Sequence, residues 1–191
     1  MKKTLLIMMI TALLLLIYSF RNPSDNIVQE QYIILKKIDN IEIRQYRESV
    51  NASYYSEEKS ERNNYFRNLA GYIFGDNDSN TNIDMTSPVT MKLYGNREMM
   101  FRMPKIYTID NLPKANNPKI NFLTINPTTK AAIQYSGYSN EDIEEKKIQE
   151  LKNILERENI KHNNKFELLV YNSPFEILNR RNEITINIIY P

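Results

Sequence analysis

The chain has 191 residues and a formal net charge of +2, a length that suits one domain with a packed core and would cramp two. Two of its 25 basic side chains are Lys2 and Lys3, so the remainder sets 23 bases against 23 acids and lacks the concentrated basic footprint of a nucleic-acid binder. Absence of Cys excludes disulfides, thiolate metal sites, Cys nucleophiles and a lipobox, and the single His162 excludes a His-pair zinc site.

Leu5 to Phe20 is uncharged, dominated by apolar side chains and preceded by Met1-Lys2-Lys3, the order of a secretory signal. As a helix it would rise roughly 24 Å, a little short of the roughly 30 Å hydrocarbon core. Ile17, two places before Ser19, spoils a small-x-small cleavage site. Residues 1–20 therefore read as a cleaved signal or as a membrane anchor with Lys2 and Lys3 on the cytoplasmic side. Both readings place the rest outside the cytoplasm. Polar residues 21–30, with Pro23, form a linker, and the domain runs over 31–191.

Tyr32-Ile33-Ile34-Leu35 and the alternating Ile41-Glu42-Ile43-Arg44-Gln45-Tyr46 predict two strands around Asp39-Asn40. Val50 to Tyr55 extends the sheet. Ser56, Glu57 and Glu58 suit a helix N-terminus, Phe66, Leu69, Ala70 and Ile73 fall at helical spacing, and Gly75 stands where a C-terminal cap belongs. Asp76 to Asn82 is a polar loop. Thr86 to Tyr94 and Glu98 to Met103 predict a strand pair around Gly95-Asn96, Pro104 to Pro118 is irregular, and Phe122–Ile125 and Lys130–Ser136 predict strands. A second helix is capped by Ser139 with Asp142 three residues on, carries the stripe Ile148, Leu151, Ile154 and Leu155, and ends at Asn159. Phe166–Tyr171 and Glu183–Ile189 close the chain as strands. This order predicts an α+β fold with a mostly antiparallel sheet, built from two ββαββ-like units without a residue-level repeat.

A series of short segments recurs in one order: Ile41-Glu42-Ile43-Arg44-Gln45-Tyr46, Phe66-Arg67-Asn68-Leu69-Ala70-Gly71-Tyr72-Ile73-Phe74-Gly75-Asp76-Asn77, Ile83-Asp84-Met85-Thr86-Ser87-Pro88-Val89, Met100-Phe101-Arg102-Met103-Pro104, Tyr171-Asn172-Ser173-Pro174 and Arg180-Arg181-Asn182-Glu183-Ile184. The series resembles the SOUL haem-binding protein family from about Tyr32 to the C-terminus. That resemblance implies a distorted antiparallel β-barrel with two flanking helices, similar to effector-binding domains of some bacterial regulators. It also implies tetrapyrrole binding in a shallow apolar groove beside the first helix. Departures are visible. Some members use a His as axial ligand, whereas His162 is remote in sequence from the groove motifs, and Gly71 stands where vertebrate relatives carry a Lys.

Candidate tetrapyrrole contacts are Phe66, Leu69, Ala70, Ile73, Met85 and Met91. The helical stripe either lines a porphyrin face or packs the helix on the sheet. Met85 either meets the ligand, where its polarizable thioether is also a weak metal-ligand candidate, or fills a gap beside Pro88, and Met91 is a weaker version of the same argument. Arg62, Arg67, Arg180 and Arg181 are propionate candidates or solvated charges, with one of Arg180 and Arg181 pairing a nearby acid. His162, the other weak metal candidate, reads as an exposed loop residue. No acid pair, phosphate cradle or Ser beside a base marks a catalytic centre. The function read from the chain is non-enzymatic, reversible binding of haem or a porphyrin, exported or membrane-anchored. The alternatives are a module of the same fold that takes another hydrophobic small molecule or a protein partner, and a tetrapyrrole dechelatase.

Overall fold

A computed structural model describes residues 31–58, 64–173, 176 and 180–190, and Tyr32–Pro191 forms one compact unit. The expected signal or anchor, the linker and Arg62 lie outside the described residues. In chain order the elements are β1 (Tyr32–Ile38), β2 (Ile41–Tyr46), β3 (Ser49–Tyr54), α1 (Tyr65–Ile73), β4 (Val89–Lys92), β5 (Met99–Arg102), a 3-10 turn (Ile109–Asn111), β6 (Ile120–Ile125), β7 (Thr128–Ser136), α2 (Glu141–Arg157), β8 (Lys161–Val170) and β9 (Arg181–Ile189). The nine strands form one sheet in the order β1-β2-β7-β9-β8-β4-β5-β3-β6, with every ladder antiparallel.

That order contains the expected duplication. Outward from the central β8–β4 pair, one half reads β8, β9, β7, β2 and the other β4, β5, β3, β6. The units β2-β3-α1-β4-β5 and β6-β7-α2-β8-β9 are thus equivalent, each lending its first strand to the other's half. The ladders stop at β1 and β6, so the ring of the expected barrel is not closed by hydrogen bonds. The sheet is nonetheless curled. β2 and β3 are joined only by Arg47 and Glu48, and β6 and β7 only by Asn126 and Pro127, yet five strands separate each pair in the sheet. A flat sheet would put such strands roughly 29 Å apart, whereas the links reach about 11 Å.

Alternation assigns the two faces. Ile41 and Ile43 of β2 align with Ile133 and Ala131 of β7, which align with Ile184 and Ile186 of β9 and then Leu168 and Phe166 of β8. This apolar surface receives Leu151, Ile154 and Leu155 of α2. Leu69, Ala70, Tyr72 and Ile73 of α1 pack on Ala52, Tyr54, Phe101 and Ile120 of the other half. Each such buried Leu or Ile contributes about 1.5–3 kcal/mol. The opposite face carries Arg44, Asn51, Ser53, Glu183 and Thr185, all buried, because the curl encloses it.

Several local expectations are corrected. Ser56 does not cap the first helix: its hydroxyl accepts from the Glu58 N–H at 3.3 Å, and α1 starts nine residues later at Tyr65 with Asn64 before it. Ser139 does not cap the second. Asn140 does, its side chain accepting from the Ile143 N–H at 2.9 Å, while Ser139 hydrogen-bonds Tyr135 and Glu144. Gly75 fulfils its role at φ +108°: the Asp76 N–H reaches the Gly71 carbonyl at 2.9 Å and the Gly75 N–H the Tyr72 carbonyl at 3.4 Å, a Schellman ending. The β4–β5 strands are shorter than predicted, since Thr86 and Ser87 bond the carbonyls of Arg102 and Tyr171 instead of extending the ladder. β8 begins at Lys161, so His162 is a half-buried strand residue at a register irregularity and not a loop residue.

Candidate functional site

A cleft of about 490 Å³ opens where α1 and α2 begin, bordered by Tyr55, Ser56, Glu57, Tyr65, Met91, Gly95, Asn96, Arg97 and Glu141. Its volume is in the range of small-molecule sites. The Tyr65 hydroxyl donates to the Ser56 carbonyl at 2.7 Å and accepts from the Ser56 N–H at 3.3 Å. The Tyr65 ring also stands edge-on to Tyr54 at 5.3 Å, which fixes this wall. Met91 comes from β4, where it aligns with Met99 of β5 and Leu168 of β8. Its half-buried thioether therefore lies on the same sheet face as the helices. Arg97 sits in the β4–β5 turn at φ +52° and reaches Glu141 and Glu144 of α2 at 3.5 Å each. Those long contacts leave its donors available to a stronger acceptor.

The sequence candidates scatter around this cleft. Met91 lines it. Leu69 and Ile73 are 0% and 1% exposed and Ala70 is 9%, so the stripe packs α1 on the sheet and presents little to a ligand. Phe66 is half-buried and stacks edge-on against Phe101 at 5.3 Å. Met85 is 45% exposed, in the segment before β4, and does not border the cleft. Arg67 is exposed. Arg180 is buried, donating to the carbonyls of Ser173 and Glu176 at 2.9 and 2.8 Å with its guanidinium 4.6 Å from the Tyr138 ring. His162 Nδ1 accepts from the Asn164 N–H at 3.2 Å and the ring lies 6.0 Å from Phe166. No group of three acidic or His residues among the described residues could hold a metal.

Arg181 is the member of its pair that meets an acid, and it belongs to a network that sequence reasoning missed. Glu183, 0% exposed, accepts from Arg44 at 2.6 and 3.0 Å, from Arg181 at 2.7 and 3.1 Å and from the Tyr171 hydroxyl at 2.9 Å. Arg44 also lies over Tyr32 at 4.3 Å, and Arg181 over Tyr171 at 4.2 Å. Burial alone would raise the Glu183 pKa; the hydrogen bonds and charges of Arg44 and Arg181 outweigh it and hold the carboxyl below its ordinary 4.5. Burial pushes the Tyr171 hydroxyl well up. Beside this network Lys130 pairs with Glu167. The available signal was a charged residue at alternate positions in strands whose other face is uniformly apolar.

The comparisons agree with the architecture. No curated protein matches the chain. A hydrolase from Listeria innocua is similar at a TM-score of 0.56 and 10% identity, over 81% of this chain and 94% of that one. The EcmrR C-terminal domain gives 0.56 and 12%, over 79% and 98%, and EcmrR in a complex with DNA gives 0.58 and 11%, over 100% and 69%. At these identities the likeness is one of fold, and the hydrolase label stays with its own protein. The SOUL heme-binding protein model matches residues 27–187, nearly the whole of the compact unit. The chain therefore belongs to the SOUL heme-binding protein family.

Proposed function

We propose that the protein binds haem or a related tetrapyrrole reversibly, without catalysing a reaction, in the cleft between the starts of α1 and α2. The family match over residues 27–187 carries the reading. The cleft supports it: half-buried Tyr55 and Met91 offer apolar and polarizable surface to a flat macrocycle, and Arg97 stands at the rim. Each square ångström of apolar surface removed from water contributes about 25 cal/mol, so a macrocycle held by its faces reaches micromolar affinity without iron ligation. Met91 would supply a soft thioether beside the ring. Arg97 would exchange its 3.5 Å acid contacts for a bidentate pair with a propionate.

A second reading keeps the cleft and changes the occupant to another hydrophobic small molecule. Glu57 and Glu141 border it alongside the one Arg97, a balance less favourable to a dianion than to a neutral or cationic ring. Titration of the full-length chain with haemin and with metal-free protoporphyrin, followed by absorbance and Tyr fluorescence, decides between them. Met91→Glu should weaken both ligands by about tenfold or more, since it sets a carboxylate against the macrocycle. Arg97→Ala should weaken both equally. Absence of saturable binding, or an unchanged Met91→Glu affinity, refutes the tetrapyrrole assignment.

The same proposal places the domain outside the cytoplasm, tethered or exported through residues 1–20. A tethered chain stays with membranes after a high-salt wash and retains Met1. A soluble form starting near Arg21 would instead establish cleavage.

A further inference from the structure

A second cleft, of about 400 Å³, lies where the turn after β5 folds over the ends of β3 and β6. Its distinguishing group is Arg102. Four other arginines, Arg44, Arg97, Arg157 and Arg181, each lie within 3.5 Å of a carboxylate. Arg102 does not. Its guanidinium, half-buried, makes one hydrogen bond among the described residues, from Nη2 to the Glu48 carbonyl at 3.2 Å, leaving four of five N–H donors without a protein acceptor. Burial holds its pKa below the ordinary value, and the nearby Tyr46 only partly opposes that.

The backbone beneath it is rigid. Arg102 pairs with Asn51 in the β3–β5 ladder, its carbonyl accepts from the Thr86 hydroxyl at 2.6 Å, and the next N–H, of Met103, reaches the Val50 carbonyl at 2.8 Å. The facing wall is ordered too. The Thr108 N–H donates to Asn111 Oδ1 at 2.7 Å and Asn111 Nδ2 to the Ile106 carbonyl at 3.2 Å. Ser49, Tyr107, Thr108 and Thr124 bring hydroxyls to the same cleft. Glu48, Lys105 and Asp110 also border it, but all three are exposed, where solvent and salt screen them. A half-buried cation with free donors, ringed by hydroxyls, lacks one component: an acceptor of opposite charge.

We propose that this cleft binds a small oxyanion, a carboxylate or phosphate group, on the guanidinium of Arg102. The planar fork matches either group bidentately, and the hydroxyls complete its coordination. The site shares no residue with the tetrapyrrole cleft and stands or falls separately from it.

Full-length wild type, Arg102→Gln and Arg102→Lys are titrated with inorganic phosphate and with succinate, at ionic strength held constant with chloride, reading melting temperature and heat of binding. Wild type should be stabilised by at least one of the two anions, and the anion that acts identifies the group. Arg102→Gln should bind about tenfold more weakly or worse, with Arg102→Lys between them. Without anion, Arg102→Gln should melt at or above the wild-type temperature, because it relieves an unpaired cation, and it should bind haemin as wild type does. The proposal is overturned if neither anion exceeds chloride, if Arg102→Gln responds like wild type, or if that variant is strongly destabilised, which would make Arg102 a structural residue.

Discussion

Glu183→Gln tests the enclosed ion network most directly. The wild-type carboxylate is fully buried and takes charge-assisted hydrogen bonds from Arg44 and Arg181, of which Arg44 is 2% exposed. An amide of the same size keeps an acceptor for the Tyr171 hydroxyl but removes the carboxylate that both guanidinium groups share, leaving Arg44 its other acid, Glu42, at 2.9 Å. Breaking a buried pair in this way costs about 3–5 kcal/mol. For a unit of this size each kcal/mol moves the melting temperature by roughly 2–4 °C, so a fall of about 6–20 °C is expected. Thermal unfolding followed by circular dichroism measures it at fixed pH. The pH profile supplies a second readout. The folded pKa of Glu183 is depressed below 4.5, so its contribution is fully present above that value and is lost as pH falls through the lower, folded value. Glu183→Gln should therefore flatten the acid limb of the stability curve. Replacing Arg44, Arg181 and Glu183 together by Met, Met and Leu should cost far less than Glu183→Gln. A Gln variant within about 1 kcal/mol of wild type, with an unchanged acid limb, would refute the reasoning.

Two further expectations concern the sequence candidates. Met85→Glu should leave stability within about 0.5 kcal/mol, because the side chain is 45% exposed, and should leave haemin binding intact, because Met85 does not border the Tyr55–Met91 cleft; a tenfold loss of affinity would extend the site to it. His162→Ala should leave the haem absorbance spectrum unchanged, since His162 lies on β8 away from that cleft, and loss of the Soret band in this variant would make His162 an iron ligand.

The sequence alone was enough for whatever depends on neighbours within a few residues. Alternation of Ile41 with Ile43, and of Ile184, Ile186 and Ile188, located strands and their apolar faces. The stripe Leu151, Ile154, Leu155 located α2, and the ordered motif series located the family. Helix starts were less legible, because Ser56, Asn64, Ser139 and Asn140 all carry plausible capping groups, yet of the four only Asn140 caps a helix with its side chain, Ser139 being engaged by Tyr135 and Glu144. The sites lay largely beyond sequence reading, Met91 in the cleft and Arg181 beside its acid excepted. Arg44 and Glu183 are 139 residues apart, and the proposed tetrapyrrole cleft gathers Tyr55 and Arg97 from two connections, Met91 from a strand and Glu141 from the start of a helix. Strand register governs such meetings, since a slip by one residue turns every side chain to the other face. Tertiary structure also decided that the face opposite the helices is enclosed. Two-residue links between strands distant in the sheet force the curl, and only that curl turns an alternating polar face into a buried ion network.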